Sequence, residues 1–281
     1  MRTHPIGLLG LTLTEPQTWA LATKVSQTTH ADPRCTVSVC IVVSLLRGLL
    51  LGTILSPSDL DAAIERAYHH VLTTDSLLNP ELPDVTHMEI TPNDMAQRLD
   101  REEFDRHVYA SSFSALELDD RQKMGYVYKC LGSAILCLRQ AMWEVEASRM
   151  PSQTLFEGLV TSLIMEGGDA DTNGAVAGAL LGAFLGHGYL PEKWATGLAH
   201  RAWLDAKILR FCGKLGVVEL DGEMSHMGNE DPDGGKGLMD KAELEERDRA
   251  MLMAILERKR LHGEKTRREG NNRGIASWFS K

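Results

Sequence analysis

Residues 167–188 read GGDADTNGAVAGALLGAFLGHG: an acidic, glycine-rich loop that opens a helix built of very small residues. Gly174, Gly178, Gly182 and Gly186 recur every four positions. That spacing clears one face of a helix and lets another backbone or a ligand come close. In lipid the same pattern would read as a dimerisation face, but the run falls short of the roughly 20 apolar residues that span a bilayer.

Outward from this stretch the chain reads as helix after helix. Thr14, with Pro16 and with Gln17 three residues on, forms a capping-box start for a helix to about Thr29. Asp32-Pro33 opens the next, which runs to about Gly52 and is apolar on nearly every face, so it needs neighbours all round. Its longest apolar run, Val37 to Leu51, carries Arg47 and is also too short to span a bilayer; it reads as a core helix, with no membrane partner. Ser58 is expected to cap a third, amphipathic helix that turns Ala62, Ala63, Ala67 and Val71 inward. Residues 74–100 lose periodicity and collect Pro80, Pro83 and Pro92 among acids, the mark of an irregular surface excursion. Helices are expected again near Arg101, from Asp119 to Val145 and from Thr154 to Glu166. The domain reading is therefore a helical body over 1–218 and a charged, largely disordered tail over 219–281, with a helix at 240–262.

Composition agrees with packed helices. Of 281 residues, 43% are apolar, 25% charged and only 6% aromatic, which excludes collagenous, low-complexity and fully disordered classes. The net charge of −9 argues against strong binding to nucleic acid or anionic lipid. The acidity lies in the body, because residues 221–281 hold thirteen acids against twelve bases. Five cysteines, Cys35, Cys40, Cys130, Cys137 and Cys212, form no CxxC pair and sit mostly in apolar pattern. A reducing compartment and an intracellular, cytoplasmic or nuclear location follow as expectations, with no secretory signal at the start. His69, His70 and His107 lack the spacing of zinc ligands and read as surface residues.

The chemistry-bearing feature is Asp169-Ala-Asp171-Thr172-Asn173-Gly174. Two carboxylates at i and i+2, with a hydroxyl beside them, are hard oxygen ligands suited to Mg²⁺, Ca²⁺ or Mn²⁺. The pattern matches the opening of an EF-hand loop, but the twelfth position, which should be a bidentate glutamate, is Leu180. Asp171 or Thr172 could instead cap the following helix. Capping needs one carboxylate and leaves Asp169 without a task.

The segment LIMEGGDADTNGAVAGALLGAFLG (163–186) resembles the C-terminal metal-binding signature of the ADP-ribosylglycohydrolase family. MRTHPIGLLGL (1–11), THADPRCTVSVCIVVSLLRGLLLG (29–52) and GYVYKCLGSAILCLRQA (125–141) resemble other parts of that family, so the likeness covers about residues 1–212. The resemblance implies a compact, orthogonal all-α helical bundle around two cations, usually Mg²⁺ with Mn²⁺ also suited. It implies hydrolysis of the glycosidic bond between ADP-ribose and an acceptor, with ADP-ribose or an ADP-ribosylated protein as the partner. Residue by residue, Asp169, Asp171 and Thr172 match the metal ligands, and His30 matches a histidine that contacts ADP-ribose. Small residues such as Gly174 and Ala175 would let that ligand approach the helix N-terminus.

Family members also carry an earlier helical region with a Thr-Asp-Asp metal motif. No Thr-Asp-Asp occurs here, and Asp119-Asp120 reads as a helix N-cap. The expectation is an N-terminally truncated chain whose activity alone is impaired, and whose apolar Pro33–Gly52 helix exposes surface and promotes self-association. The alternative is a non-catalytic relative that binds ADP-ribose or serves a structural role.

Overall fold

The computed structural model describes residues 2–80, 97–148, 151–220 and 240–276, with side chains through residue 261. The chain divides into two units, Met1–Arg201 with Phe211–Glu219, and Ala202–Arg210 with Leu220–Lys281. The fold is all-α, with no strand among the described residues. In chain order the helices are α1 (His4–Leu9), α2 (Glu15–Gln27), α3 (Pro33–Leu50), α4 (Pro57–Thr73), α5 (Asp75–Leu78) and α6 (Arg101–Val108). They continue as α7 (Val127–Ser148), α8 (Leu155–Met165), α9 (Ala170–Leu185), α10 (Glu192–Thr196), α11 (Arg201–Lys214) and α12 (Lys241–Ala276). The segments 81–96 and 221–239, which hold most of the expected excursion and the start of the tail, lie outside the described residues.

Local chemistry sets the helix starts. The Thr14 hydroxyl accepts from the Gln17 N–H while the Gln17 side chain accepts from the Thr14 N–H, which closes the capping box of α2. Asp32 caps α3 through the Arg34 N–H, with Pro33 in the first helical position. α4 starts two residues earlier than expected. Its cap is Ser56, not Ser58: Pro57 takes the first helical position and Asp59 returns a bond to the Ser56 N–H at 3.0 Å, while Asp61, three residues after Ser58, accepts from Arg139 instead. α7 begins at Val127 rather than Asp119. Asp120 instead closes a turn, its carboxylate accepting from the Gln122 N–H at 3.0 Å and its carbonyl from the Lys123 N–H at 3.0 Å.

The first unit is built round α3, which packs against α1, α2, α4, α7 and α9. Val37, Cys40, Ile41, Val43 and Leu45 on it are wholly buried. By length and composition α3 could cross a membrane, but it is mostly buried inside this unit. Arg47, the charge within it, donates from Nε to the Gly10 carbonyl at 2.8 Å and from Nη2 to the Leu13 carbonyl at 3.0 Å. The apolar exposure expected along α3 is therefore confined to its C-terminal end, at Leu50 and Leu51. α7 is the second central helix and packs on α3, α4, α6, α8 and α9. His70 is not a plain surface residue: it is half-buried and stacks on Trp19 with ring centroids 4.5 Å apart. Leu99, at the end of the expected excursion, is buried, and its carbonyl accepts from the Tyr68 hydroxyl. In the second unit α12 presents Leu244, Met251, Leu252, Ile255 and Leu256 among exposed charged residues.

Candidate active site

Five pieces of chain meet at one cavity of about 620 Å³ in the first unit. Arg2 and Thr3 come from the N-terminal segment, and Ser26, Thr29 and His30 from the end of α2. Asp32, Arg34, Cys35 and Val39 come from the start of α3, and Gly125, Tyr126, Val127 and Cys130 from the start of α7. Asp169 and Thr172 come from the start of α9. His30 and Asp169, far apart in sequence, thus face the same space.

His30 ends the turn that follows α2, its N–H bonded to the Ser26 carbonyl at 3.0 Å. Its Nδ1 lies 2.7 Å from the Thr29 hydroxyl, which in turn accepts from Arg2. Arg2 also donates to the Thr28 hydroxyl at 3.1 Å and the Val25 carbonyl at 3.3 Å. The Thr29 hydroxyl also lies 3.4 Å from the Ser26 carbonyl, so Arg2, Thr29 and the end of α2 together fix the orientation of the His30 ring.

Asp32 anchors the opposite wall. Arg34 holds it with both Nε and Nη2, at 2.9 and 2.7 Å, and Arg98 adds a bond at 2.9 Å. Burial alone would push the Asp32 carboxyl up, but the bonds from Arg34 and Arg98 outweigh it and hold the group below the usual carboxylate range. The Arg34 guanidinium also lies over the Tyr126 ring, 5.3 Å from its centroid, and donates to the Tyr126 hydroxyl at 3.4 Å. Burial pushes the Cys35 and Cys130 thiols up to about 11 and about 12. Neither is a thiolate nucleophile near neutral pH.

The acidic loop owes its shape to glycine. Gly167 and Gly168 have φ of +79° and +69°, a left-handed pair that swings the chain from α8 into α9. Asp169 occupies the N-cap position of α9 but makes no side-chain capping bond. Its carboxyl lies beside that of Asp171, which accepts from the Thr172 N–H at 2.9 Å. The neighbouring Asp169 and the Thr172 N–H hold the Asp171 carboxyl below its ordinary range. The Cys130 thiol donates to the Thr172 carbonyl at 3.8 Å and ties the loop to α7.

The remaining sequence candidates fall elsewhere. Asp171 is exposed beside Asp169 and does not line the cavity. Gly174 and Ala175 do not line the cavity: a Cβ at Gly174 would meet Ile164 of α8 at 3.6 Å, and Ala175 is exposed. Asn173 is buried, and its side-chain amide has no partner among the described residues. Arg2, Arg34 and Tyr126 carry no local sequence signal of a site, although the THADPR stretch holding His30 also contains Asp32 and Arg34.

A family model described as ADP-ribosylglycohydrolase matches residues 1–221. The chain belongs to the ADP-ribosylglycohydrolase family. No curated protein and no solved structure matches it. The chemistry of an ADP-ribosylglycohydrolase is, at family level, glycosidic hydrolysis on ADP-ribosylated substrates in general. For a hard cation this family member offers a chemically fitting donor pair, two carboxyls within hydrogen-bond reach of each other and of the Thr172 backbone. Among the described residues no group of three or more His, Cys, Asp or Glu side chains converges closely enough to hold a metal ion.

Proposed function

We propose that the cavity binds the ADP-ribosyl group and that the protein hydrolyses its bond to an acceptor side chain with the help of Mg²⁺, or Mn²⁺ in its place. The observation that carries this reading is that His30 shares the cavity with Asp169 and Thr172. In it, His30 contacts the ligand through its ring, which Arg2 and Thr29 hold in place. Asp32 keeps Arg34 turned toward Tyr126, which shapes the wall opposite. Asp169 and Asp171 hold the cation by their carboxylates and Thr172 by its hydroxyl. The chemistry a cation supplies when bound there is charge stabilisation at the anomeric centre and a positioned water.

Two carboxylates and one hydroxyl suffice for a single octahedral cation completed by water. A second cation, as the family resemblance implies, takes ligands from outside this set. Turnover by residues 1–281 alone is therefore proposed to be weak. The limited donor set also favours a second reading, binding of ADP-ribose without turnover.

Release of ADP-ribose from ADP-ribosylated arginine and serine peptides, measured with and without Mg²⁺, separates the two. Mg²⁺-dependent release that Asp171→Asn abolishes supports hydrolysis. Binding of ADP-ribose with no release from either peptide supports the second reading, and neither binding nor release contradicts both.

A further inference from the structure

Lys129, in the first turn of α7, carries a charge with a nearly sealed side chain, 4% exposed. It lies outside the lining of the cavity described above. Its ammonium donates to the Glu117 carbonyl, and its nearest carboxylate oxygen is Oδ2 of Asp120, 4.0 Å away. Burying an ammonium is costly, and a methionine of similar length would fill the same space without that cost. The position of the charge therefore calls for a reason beyond packing.

Glu117 has φ +47° and ψ +51°, left-handed backbone that a residue with a side chain adopts only under restraint. The bond from Lys129 supplies that restraint at its carbonyl. The next residue, Leu118, is buried, and its carbonyl presses on Gly168: a Cβ there would overlap the oxygen and lie 2.8 Å from the carbonyl carbon. Gly168 is bonded to Asp169. The residue after Lys129, Cys130, reaches the Thr172 carbonyl. One turn of α7 thus supports the acidic loop at both ends, through Lys129 and residues 117–118 before Asp169 and through Cys130 at Thr172.

We infer that Lys129 is a positioning residue for the acidic loop, fixing residues 117–118 so that Asp169 is held beside Asp171 in the arrangement that binds a cation. The cation part rests on the metal-dependent reading of the site above. Groups that orient ligands without touching the metal change affinity by roughly 10- to 100-fold when removed.

The test uses the full chain and Mn²⁺ as the probe, with free Mn²⁺ read by electron paramagnetic resonance. Amide hydrogen exchange at residues 167–172 is measured in parallel without metal. Lys129→Met is expected to weaken Mn²⁺ binding about tenfold and to speed exchange in the loop, with the helical circular dichroism kept. Lys129→Arg, which restores a donor, is expected to recover most of the affinity. Glu117→Gly, which removes the backbone restraint's cost, is expected to recover part of it in the Lys129→Met background. If Lys129→Met does not fold, Lys129→Gln replaces it in the same comparison. Wild-type affinity and wild-type exchange in the Met or Gln variant overturn the inference. Wild-type protein that binds no Mn²⁺ overturns the metal-site reading; faster loop exchange in Lys129→Met then still upholds the positioning role, and unchanged exchange removes it too.

Discussion

Gly168 and Leu118 meet backbone to backbone: with φ at +69°, Gly168 rests against the Leu118 carbonyl so closely that a β-carbon would overlap the oxygen. Gly168→Ala therefore suffers both a left-handed strain and a clash with backbone that cannot rotate away. The expected cost is about 2 to 4 kcal/mol in urea unfolding. Gly167→Ala, at φ +79° but with its nearest neighbour, the Asp119 Cβ, 3.8 Å away, is expected to cost only about 1 kcal/mol. Equal costs at the two positions would contradict the contact.

Arg47 satisfies carbonyls of the short turn between α1 and α2 from the middle of an apolar helix. Arg47→Met keeps the aliphatic stem and leaves the Gly10 and Leu13 carbonyls without this donor. A loss of about 1.5 to 3 kcal/mol is expected, with faster amide exchange over residues 10–14. Unchanged exchange there would show that Arg47 serves packing alone.

Such long-range ties mark the boundary of what the sequence discloses. The caps of α2 and α3 depend on neighbours two or three positions away, so Thr14 with Gln17 and Asp32 with Pro33 announce them. The choice between Ser56 and Ser58 is not settled by that interval, since Asp59 follows the one and Asp61 the other at three residues; Pro57 in the first helical position favours Ser56, and Asp61 is drawn instead to Arg139 by a tertiary contact. The Asp119-Asp120 pair looks like a cap, but residues 117–120 are shaped by Gly168 and Lys129, which no local pattern reveals. At the cavity, His30, Asp169 and Thr172 stood out through the family likeness. Arg2, Arg34 and Tyr126 acquire their places only through tertiary contact, Arg2 with Thr29 and Arg34 with Tyr126.

His4 brings a pH dependence. Burial lowers it from 6.5 to about 4, so the native ring is neutral where an unfolded one takes up a proton. Stability is then full above about pH 6.5 and declines as pH falls toward 4. Because the residue is only half-buried, the loss is put at about 1 to 2 kcal/mol. His4→Gln should flatten the unfolding midpoint across this window, and an unchanged slope would rule His4 out as its source.

Asp32 gives a test of the cavity wall with the same sign in a more acidic window. Asn at this position keeps an acceptor for the cap of α3 but removes the charge that pairs with Arg34 and Arg98. Asp32→Asn is expected to lower stability at neutral pH by about 1 to 2 kcal/mol. Since the native carboxyl sits below 3.8, the wild-type advantage is complete above that pH and fades as acid protonates the group. A variant as stable as wild type at pH 7 would show that the pair contributes nothing net.

Calorimetric titration of residues 1–281 with ADP-ribose in the presence of Mg²⁺ tests most directly that His30 and Asp169 form one ligand site. The account predicts saturable one-to-one binding, weakened about tenfold or more, some 1.4 kcal/mol, by His30→Ala and by Asp169→Asn. His69→Ala, at an exposed histidine on α4, should bind as the wild type does. Binding left unchanged by both His30→Ala and Asp169→Asn, or no binding by the wild type, would contradict it.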